Sequence, residues 1–313
     1  MLRSFAGVKT RFAMKTKNIY ADPTIDFAFK RIFGTERFKA ATIGLLNSII
    51  KDVNIVDVSF LNTEIIPENK DDKKCVIDVL ATDDRDNNFI VEMQNAKQVT
   101  FMERMVYYTA KVIAQLEGVV GSAEYELHST YAIAFLNFPS EAVTGISGRY
   151  DLHYYTVDGA SGHRLPASPK YHFFDLTAFK KFSKGITNET DYWLSLLTES
   201  KEMDGMPDWA KGDKAYEAYF EASTRANFTP EETIQYEKDM MTERDRINSI
   251  NYARWEGVQE GLQKGREEGL LEGKQEGKQH AQQEIAKAMK AKGIDAETIV
   301  SCTGLTKEEV ESL

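Results

Sequence analysis

Cysteine is scarce in this sequence, since its 313 residues contain only two, Cys75 and Cys302, far apart in the chain. Two separated thiols provide neither a disulfide framework nor a cysteine-rich zinc site. The sequence also lacks any run of about 18 apolar residues, the minimum for a membrane-spanning helix. We therefore expect a cytoplasmic protein with reduced thiols and no membrane-spanning segment.

Positive charge is also in deficit, because 39 lysines and arginines face 49 acidic residues, giving a net charge of -10. A protein that simply coats duplex DNA is basic, since neutralising phosphates supplies most non-specific affinity. The acidic balance counts against that class but not against a nuclease, whose carboxylates are offset by bound metal. The five histidines lack metal-ligand spacing, and no nucleotide-binding glycine motif occurs.

Helices and strands are predicted to alternate through most of the chain. The first helix is expected to begin with Asp22 as N-cap and Pro23 as first helical residue, and to end near Gly34. Periodicity predicts helices at residues 36–50 and 101–120, and strands at residues 56–60, 74–82, 88–94 and 130–138. Residues 149–157 and 171–176 are candidates for further strands. This order predicts an α/β or α+β class with a mixed sheet.

Two of these strands carry acidic residues among apolar neighbours. Asp78 is expected to share a strand face with Val76, and Glu92 to share a face with Gln94. Residues 83–87 have the composition of a hairpin turn, which sets the two strands side by side. Acids in central strands are costly unless a cation offsets them, so the pair suits magnesium or manganese. The alternative is a pair of edge-strand acids that point at solvent.

Several stretches, in their order and spacing, resemble a known nuclease family. They lie at residues 22–34, 45–50, 77–79, 91–94 and 104–108. Together they resemble the PD-(D/E)XK nuclease superfamily and, more closely, the Rpn family of recombination-promoting nucleases and transposase-like proteins. The resemblance implies an α/β fold with a restriction-endonuclease-like core (helix, three strands, helix, strand), a mixed central sheet and a helical C-terminal region.

The resemblance also implies roles for individual residues. Asp78 and Glu92 match the two acids that bind Mg²⁺ or Mn²⁺ in catalysis. Gln94 falls where the superfamily most often has lysine, and glutamine orients water by hydrogen bonds but brings no positive charge. Asp26 matches an acid on the first helix and is either a third metal ligand, directly or through water, or a surface acid. Lys30, one turn further, either pairs with Asp26 or contacts a phosphate.

The helix after the acidic strands carries a polar face with Arg104, Tyr108, Lys111 and Gln115 at helical spacing. Such a face is either simply solvated or lines the site. In the second case Arg104, Tyr108 and Gln115 bind the substrate, which is DNA.

A glycine-rich tail follows, in which glycine recurs every fourth residue from Gly257 to Gly277 and most glycines follow a glutamate. The tail is either a solvated linker or a helix suited to self-association, giving a homo-oligomer. We expect five regions: an upstream or disordered extension (1–19), the nuclease-like core (20–185), a helical region (186–250), the glycine-glutamate tail (251–293) and a small helical hairpin (294–313).

The expected function is a magnesium-dependent DNA endonuclease linked to recombination or mobile elements. The alternative is a nuclease-fold protein with weak or no catalysis that acts as a DNA-binding or self-assembling scaffold.

Overall fold

A computed structural model describes residues 19–65, 75–98, 100–116, 127–182 and 185–313 of the chain. The chain divides into two compact units, Met1–Met241 and Thr242–Leu313. The predictions for residues 1–18 and for the end of the helix at 101–120 lie outside the described residues. Of the helices in the described residues, none combines the length and the apolar character that crossing a membrane requires.

The first unit is built on a six-stranded mixed sheet in the order β1-β4-β5-β6-β8-β7. Strands β5, β6 and β8 run parallel to one another, and the other pairings are antiparallel. The sheet strands are β1 (Val58–Phe60), β4 (Val79–Asp83), β5 (Asn88–Gln94), β6 (Thr130–Leu136), β7 (Asp151–Tyr154) and β8 (Lys170–Asp175), and a separate small sheet holds β2 (Glu64–Ile65) and β3 (Cys75–Val76). The predicted α/β class with a mixed central sheet is confirmed.

Helices surround this sheet and make up the C-terminal region. They are α1 (Asp26–Phe33), α2 (Lys39–Ile49), α3 (Phe101–Leu116), α4 (Glu141–Thr144), α5 (Leu176–Phe182), α6 (Glu189–Glu199), α7 (Lys214–Ser223), α8 (Pro230–Ala291), α9 (Ala296–Thr303) and α10 (Lys307–Ser312). Short 3-10 turns lie at Glu36–Phe38, Ser200–Glu202, Asp208–Ala210 and Arg225–Asn227.

Each face of the sheet has its own apolar core, because successive side chains of a strand point to opposite faces. Val91 and its register partner Ile133 pack with α1, α2, α6 and α7 in one core. Ile90 and its partner Ala132 pack with α3 in the other. Adjacent residues of β5 therefore face two different sets of helices on opposite sides of the sheet.

The single strand predicted at residues 74–82 is wrong, because the chain leaves one sheet and joins another within it. Strand β3 ends at Val76 and pairs with β2, whereas β4 begins at Val79 and pairs with β1 and β5. The N–H of Ile77 donates to the carbonyl of Thr63 (2.9 Å). Asp78 therefore lies between the two strands and does not share a sheet face with Val76.

The predicted start of the first helix is also wrong. The helix begins at Asp26, and Ile25 is its N-cap residue. The carboxylate of Asp22 accepts hydrogen bonds from the N–H (3.0 Å) and hydroxyl (2.8 Å) of Thr24, which stabilises a turn before the helix. The predicted end near Gly34 is confirmed, since its N–H donates to Lys30 (2.7 Å).

The predicted hairpin turn between the acidic strands is confirmed. The carboxylate of Asp83 accepts hydrogen bonds from the N–H groups of Arg85 (3.0 Å) and Asn87 (2.8 Å). Asp86 adopts a left-handed conformation with φ of 58°, which an aspartate in a turn tolerates better than most residues. This local chemistry aligns β4 with β5.

The C-terminal unit contains most of α8, which is helical through the whole glycine repeat. A Cβ placed on any glycine from Gly257 to Gly277 would meet nothing within 4 Å. At its end Ala286 packs with Ile299, Leu305 and Val310 in a small core. The turn between α9 and α10 has Gly304 in a left-handed conformation, followed by a capping box of Thr306 and Glu309.

Candidate metal centre

The carboxylates of Asp78 and Glu92 converge through reciprocal hydrogen bonds to each other's backbone. Glu92 lies near the end of β5, and its Oε1 accepts from the N–H of Asp78 (3.2 Å). Asp78 lies directly before β4, and its Oδ2 accepts from the N–H of Met93 (2.9 Å). The break between β3 and β4 makes this possible, because it leaves the Asp78 N–H free of the sheet ladder. Each carboxylate thus accepts a hydrogen bond from the backbone of the segment that carries the other.

Glu92 is buried and Asp78 is partly buried, and this burial perturbs the titration of both. Glu92 is only 4% exposed, and burial together with the negative charge of Asp78 raises its pKa to about 8. Burial likewise raises the pKa of Asp78, although the Met93 N–H and the charge of Lys30 act in the opposite direction. Like charges held close in a buried site disfavour simultaneous ionisation. The positive charges of Lys30 and Arg104 offset only part of this repulsion.

Lys30 lies between Asp78 and Asp26. Its Nζ is 2.7 Å from Oδ1 of Asp26 and 3.4 Å from Oδ1 of Asp78. Burial lowers the Lys30 pKa, but the hydrogen bond to Asp26 and the charge of Asp78 outweigh this and raise it. The Asp26 side chain is 56% exposed. The Asp26 carboxylate therefore faces the Lys30 ammonium group. This one ammonium group lies beside both Asp26 and Asp78.

Gln94 is held between the backbone and an arginine of α3. Its Nε2 donates to the carbonyl of Ala96 (2.6 Å), and its Oε1 accepts from Nη2 of Arg104 (2.5 Å). The positive charge of Arg104 opposes the rise in the Glu92 pKa, so the guanidinium also acts on the acid pair. The Arg104 guanidinium thus lies directly beside Gln94. Sequence reasoning selected both residues but missed their contact, which joins two separate elements.

The remaining candidates on α3 lie at different distances from the acids. Tyr108 packs under the Arg104 guanidinium, 5.7 Å from its ring centroid. Burial raises the Tyr108 pKa and the charge of Glu92 adds to the effect, which places this phenol in the electrostatic surroundings of the site. Gln115 is exposed and lies seven residues further, about 10 Å along the helix axis.

The donor set fits a hard divalent cation with few protein ligands. Among the described residues, no three His, Cys, Asp or Glu side chains are arranged to hold a metal ion. Magnesium keeps several waters and is typically bound through one or two carboxylates. Two closely held carboxylates that repel each other match that preference, because a cation between them removes the repulsion. Asp78 and Glu92 could thus hold such an ion, whereas the Asp26 carboxylate pairs with Lys30.

The raised pKa of Glu92 predicts a loss of stability as pH rises. An acid with a pKa of about 8 in the folded chain and about 4.3 when unfolded favours folding while it is protonated. That contribution is present in full below about pH 4 and is lost as the pH rises through about 8. Without metal, we expect Glu92→Gln to flatten the fall in melting temperature between about pH 5 and pH 8.

The matched control for this measurement is Glu103→Gln, because Glu103 lies exposed on α3. It should keep the wild-type slope of melting temperature against pH. An equally steep slope in Glu92→Gln and in the wild-type chain would contradict the raised pKa.

Comparison with known proteins gives two matches to family models, and the shorter one lies at the C-terminus. Residues 279–313 match the model of the C-terminal HTH domain of the Rpn/YhgA-like nuclease family. This module takes in the end of α8 as well as α9 and α10, whereas the sequence analysis expected only a hairpin at residues 294–313. The signal in the sequence is the three-residue spacing of Ala286 and Met289, which the structure buries or half-buries in the small core beside α9 and α10.

The larger match covers residues 23–253 and is to the model of the PD-(D/E)XK nuclease family transposases. It contains both acids, Gln94 and Arg104. Neither the curated proteins nor the solved structures contain a match to this chain. Because the family model covers well over half of the sequence and the Rpn-type module follows it, the chain belongs to the PD-(D/E)XK nuclease family transposases of the Rpn type.

Proposed function

We propose that the protein is a magnesium-dependent DNA endonuclease linked to recombination or mobile elements. The observation that carries this proposal is the pair of Asp78 and Glu92, whose carboxylates converge through reciprocal backbone hydrogen bonds while the burial of Glu92 raises its pKa. Such a pair is costly in a structural core and useful in a metal site. The family membership supports the nuclease class, and the matched HTH domain supports DNA as the partner.

Asp78 and Glu92 would hold Mg²⁺ or Mn²⁺, which supplies positive charge to stabilise the attacked phosphate and to favour ionisation of the attacking water. The chain supplies rigidity, since both carboxylates are fixed by backbone N–H groups. Pre-organised charges of this kind need little rearrangement during the reaction. Asp26 would contribute through water, as its carboxylate already pairs with Lys30.

Arg104 would provide the charge that Gln94 lacks. Both polar ends of the Gln94 side chain are occupied, one by Ala96 and the other by Arg104. Gln94 therefore acts as a positioning residue that holds the guanidinium beside the acids. The positive charge of the Arg104 guanidinium, which already acts on Glu92, would attract a phosphate oxygen to the same site. Lys30 and Tyr108 would contact the DNA backbone at the same site, and Gln115 would do so further along α3.

The cleavage test uses supercoiled plasmid DNA with magnesium and the full chain. We expect the wild-type protein to nick the plasmid and Asp78→Asn to lose this activity, because the substitution removes one ligand charge while keeping the side-chain shape. The matched control is Asp84→Asn, in the exposed turn that joins the same two strands. Cleavage retained in Asp78→Asn, or lost equally in Asp84→Asn, would contradict the assignment.

A second candidate function, a self-assembling scaffold, is favoured by an apolar stripe on α8. Trp255, Val258 and Leu262 are 58%, 52% and 65% exposed, and their spacing of three and four residues places them on one face. Exposed apolar patches of this kind mark association surfaces.

The last helix, α10, carries Glu308, Glu309 and Glu311 against one lysine. This negative charge suits a protein partner better than a phosphate.

Substitution within the stripe tests self-association in the full chain. We expect the wild-type protein to be oligomeric and the double variant Trp255→Glu, Leu262→Glu to have the mass of one chain, because burying a glutamate at each site is unfavourable. Light scattering gives the mass. The control Lys264→Glu changes the charge by the same two units at an exposed position on the opposite side of the same helix, and it should leave the mass unchanged. A double variant with the wild-type mass would remove the stripe from the assembly.

A further inference from the structure

A polar cavity lies on the face of the sheet opposite to Glu92. The register places Val91, Ile133 and His172 in one row across β5, β6 and β8. Val91 and Ile133 pack towards α2 in the first core. The neighbouring row, which contains Glu92 and Ala134, faces α3. The cavity beside His172 has a volume of about 410 Å³ and is separated from the acid pair by the sheet itself.

Three cationic side chains line this cavity: Lys51, Arg164 and Lys170. Two of them already have acidic partners, because Lys170 pairs with Asp52 (2.7 Å) and Lys51 with Glu189 (3.0 Å). The guanidinium of Arg164 lies 3.6 Å above the ring of Tyr155 and has no carboxylate partner among the described residues. The lining therefore carries an excess of positive charge, with one arginine fork open to an acceptor.

A pair of histidines forms the floor of the cavity. His153 of β7 lies opposite His172 of β8, and their Nδ1 atoms are 2.7 Å apart, so one ring donates to the other. His172 is only 5% exposed, and its Nε2 is buried without a partner among the described residues. Burial lowers the His172 pKa to about 4, with His153 acting in the same direction. At neutral pH the floor is thus two uncharged flat rings with unused hydrogen-bonding capacity.

We propose that this cavity binds a phosphate group carried by a nucleotide. The open guanidinium of Arg164, with Lys170 beside it, matches the geometry of phosphate oxygens, because the arginine fork binds them in pairs. A metal cation is disfavoured by the same positive lining. The cavity volume lies in the range of small-molecule sites, well beyond a lone phosphate, and the partly exposed ring of His153 offers a flat surface to a base. The nucleotide is either free or the phosphorylated end of a DNA strand.

The test follows the histidine ring nitrogens by NMR in the full chain labelled with ¹⁵N-histidine, so that it does not depend on nuclease activity. Adenosine monophosphate, adenosine, and a 5′-phosphorylated and an unphosphorylated single-stranded oligonucleotide are titrated separately. The variant Arg164→Gln removes the open fork at an exposed position, where a folding defect is not expected. The matched control, Lys180→Gln, removes an exposed positive charge on α5 outside the cavity.

We expect saturable shifts of paired histidine resonances with adenosine monophosphate and none with adenosine. Arg164→Gln should weaken this binding at least about tenfold, and Lys180→Gln should bind as the wild-type chain does. Shifts only with the phosphorylated oligonucleotide would assign the phosphate to a DNA end. The proposal is overturned if adenosine shifts the resonances as strongly as its monophosphate, if Arg164→Gln binds like wild type, or if no phosphorylated compound produces a shift.

Discussion

Two carboxylates held close together beside a sheet make the ionised, folded state less stable, and nearby positive charges offset part of that free-energy cost. The carboxylates of Asp78 and Glu92 each accept a hydrogen bond from the backbone beside the other, so neither can turn to solvent without breaking a backbone hydrogen bond. Burial raises the pKa of both, and repulsion by Asp78 adds to the rise at Glu92. Lys30 from α1 and Arg104 from α3 approach from different sides and relieve part of this repulsion. A bound divalent cation would supply the remainder, which links the fold directly to the proposed chemistry.

The arrangement around Gln94 brings a cation of helix α3 to the acid pair. The glutamine amide is engaged at both ends, and its oxygen holds the Arg104 guanidinium. Because α3 packs on the same sheet face as Glu92, the arginine reaches the acids from a helix and not from the strand. The opposite face carries an unrelated cluster of lysines, arginine and histidines. The sheet therefore separates an acidic site from a basic one.

The general fold and the acid pair followed from the sequence because they depend on local patterns. Apolar alternation predicted β5, and the turn chemistry of residues 83–87 predicted its pairing with β4. The break before Asp78 was not predictable in this way, since it depends on a hydrogen bond from Ile77 to the distant Thr63. The contact of Arg104 with Gln94 likewise joins two elements. The paired histidines, 19 residues apart, meet only because β7 and β8 align.

The central claim is that Asp78 and Glu92 share one divalent cation, and a crystal structure of the full chain soaked in Mn²⁺ tests it most directly. Manganese has an anomalous signal that identifies the ion independently of water. We predict one strong peak in contact with oxygens of both carboxylates at about 2.1 Å, a distance typical of hard divalent ions, with the peak absent in Asp78→Asn. A manganese ion bound elsewhere while this position is empty, or a peak that persists in Asp78→Asn, would contradict the account.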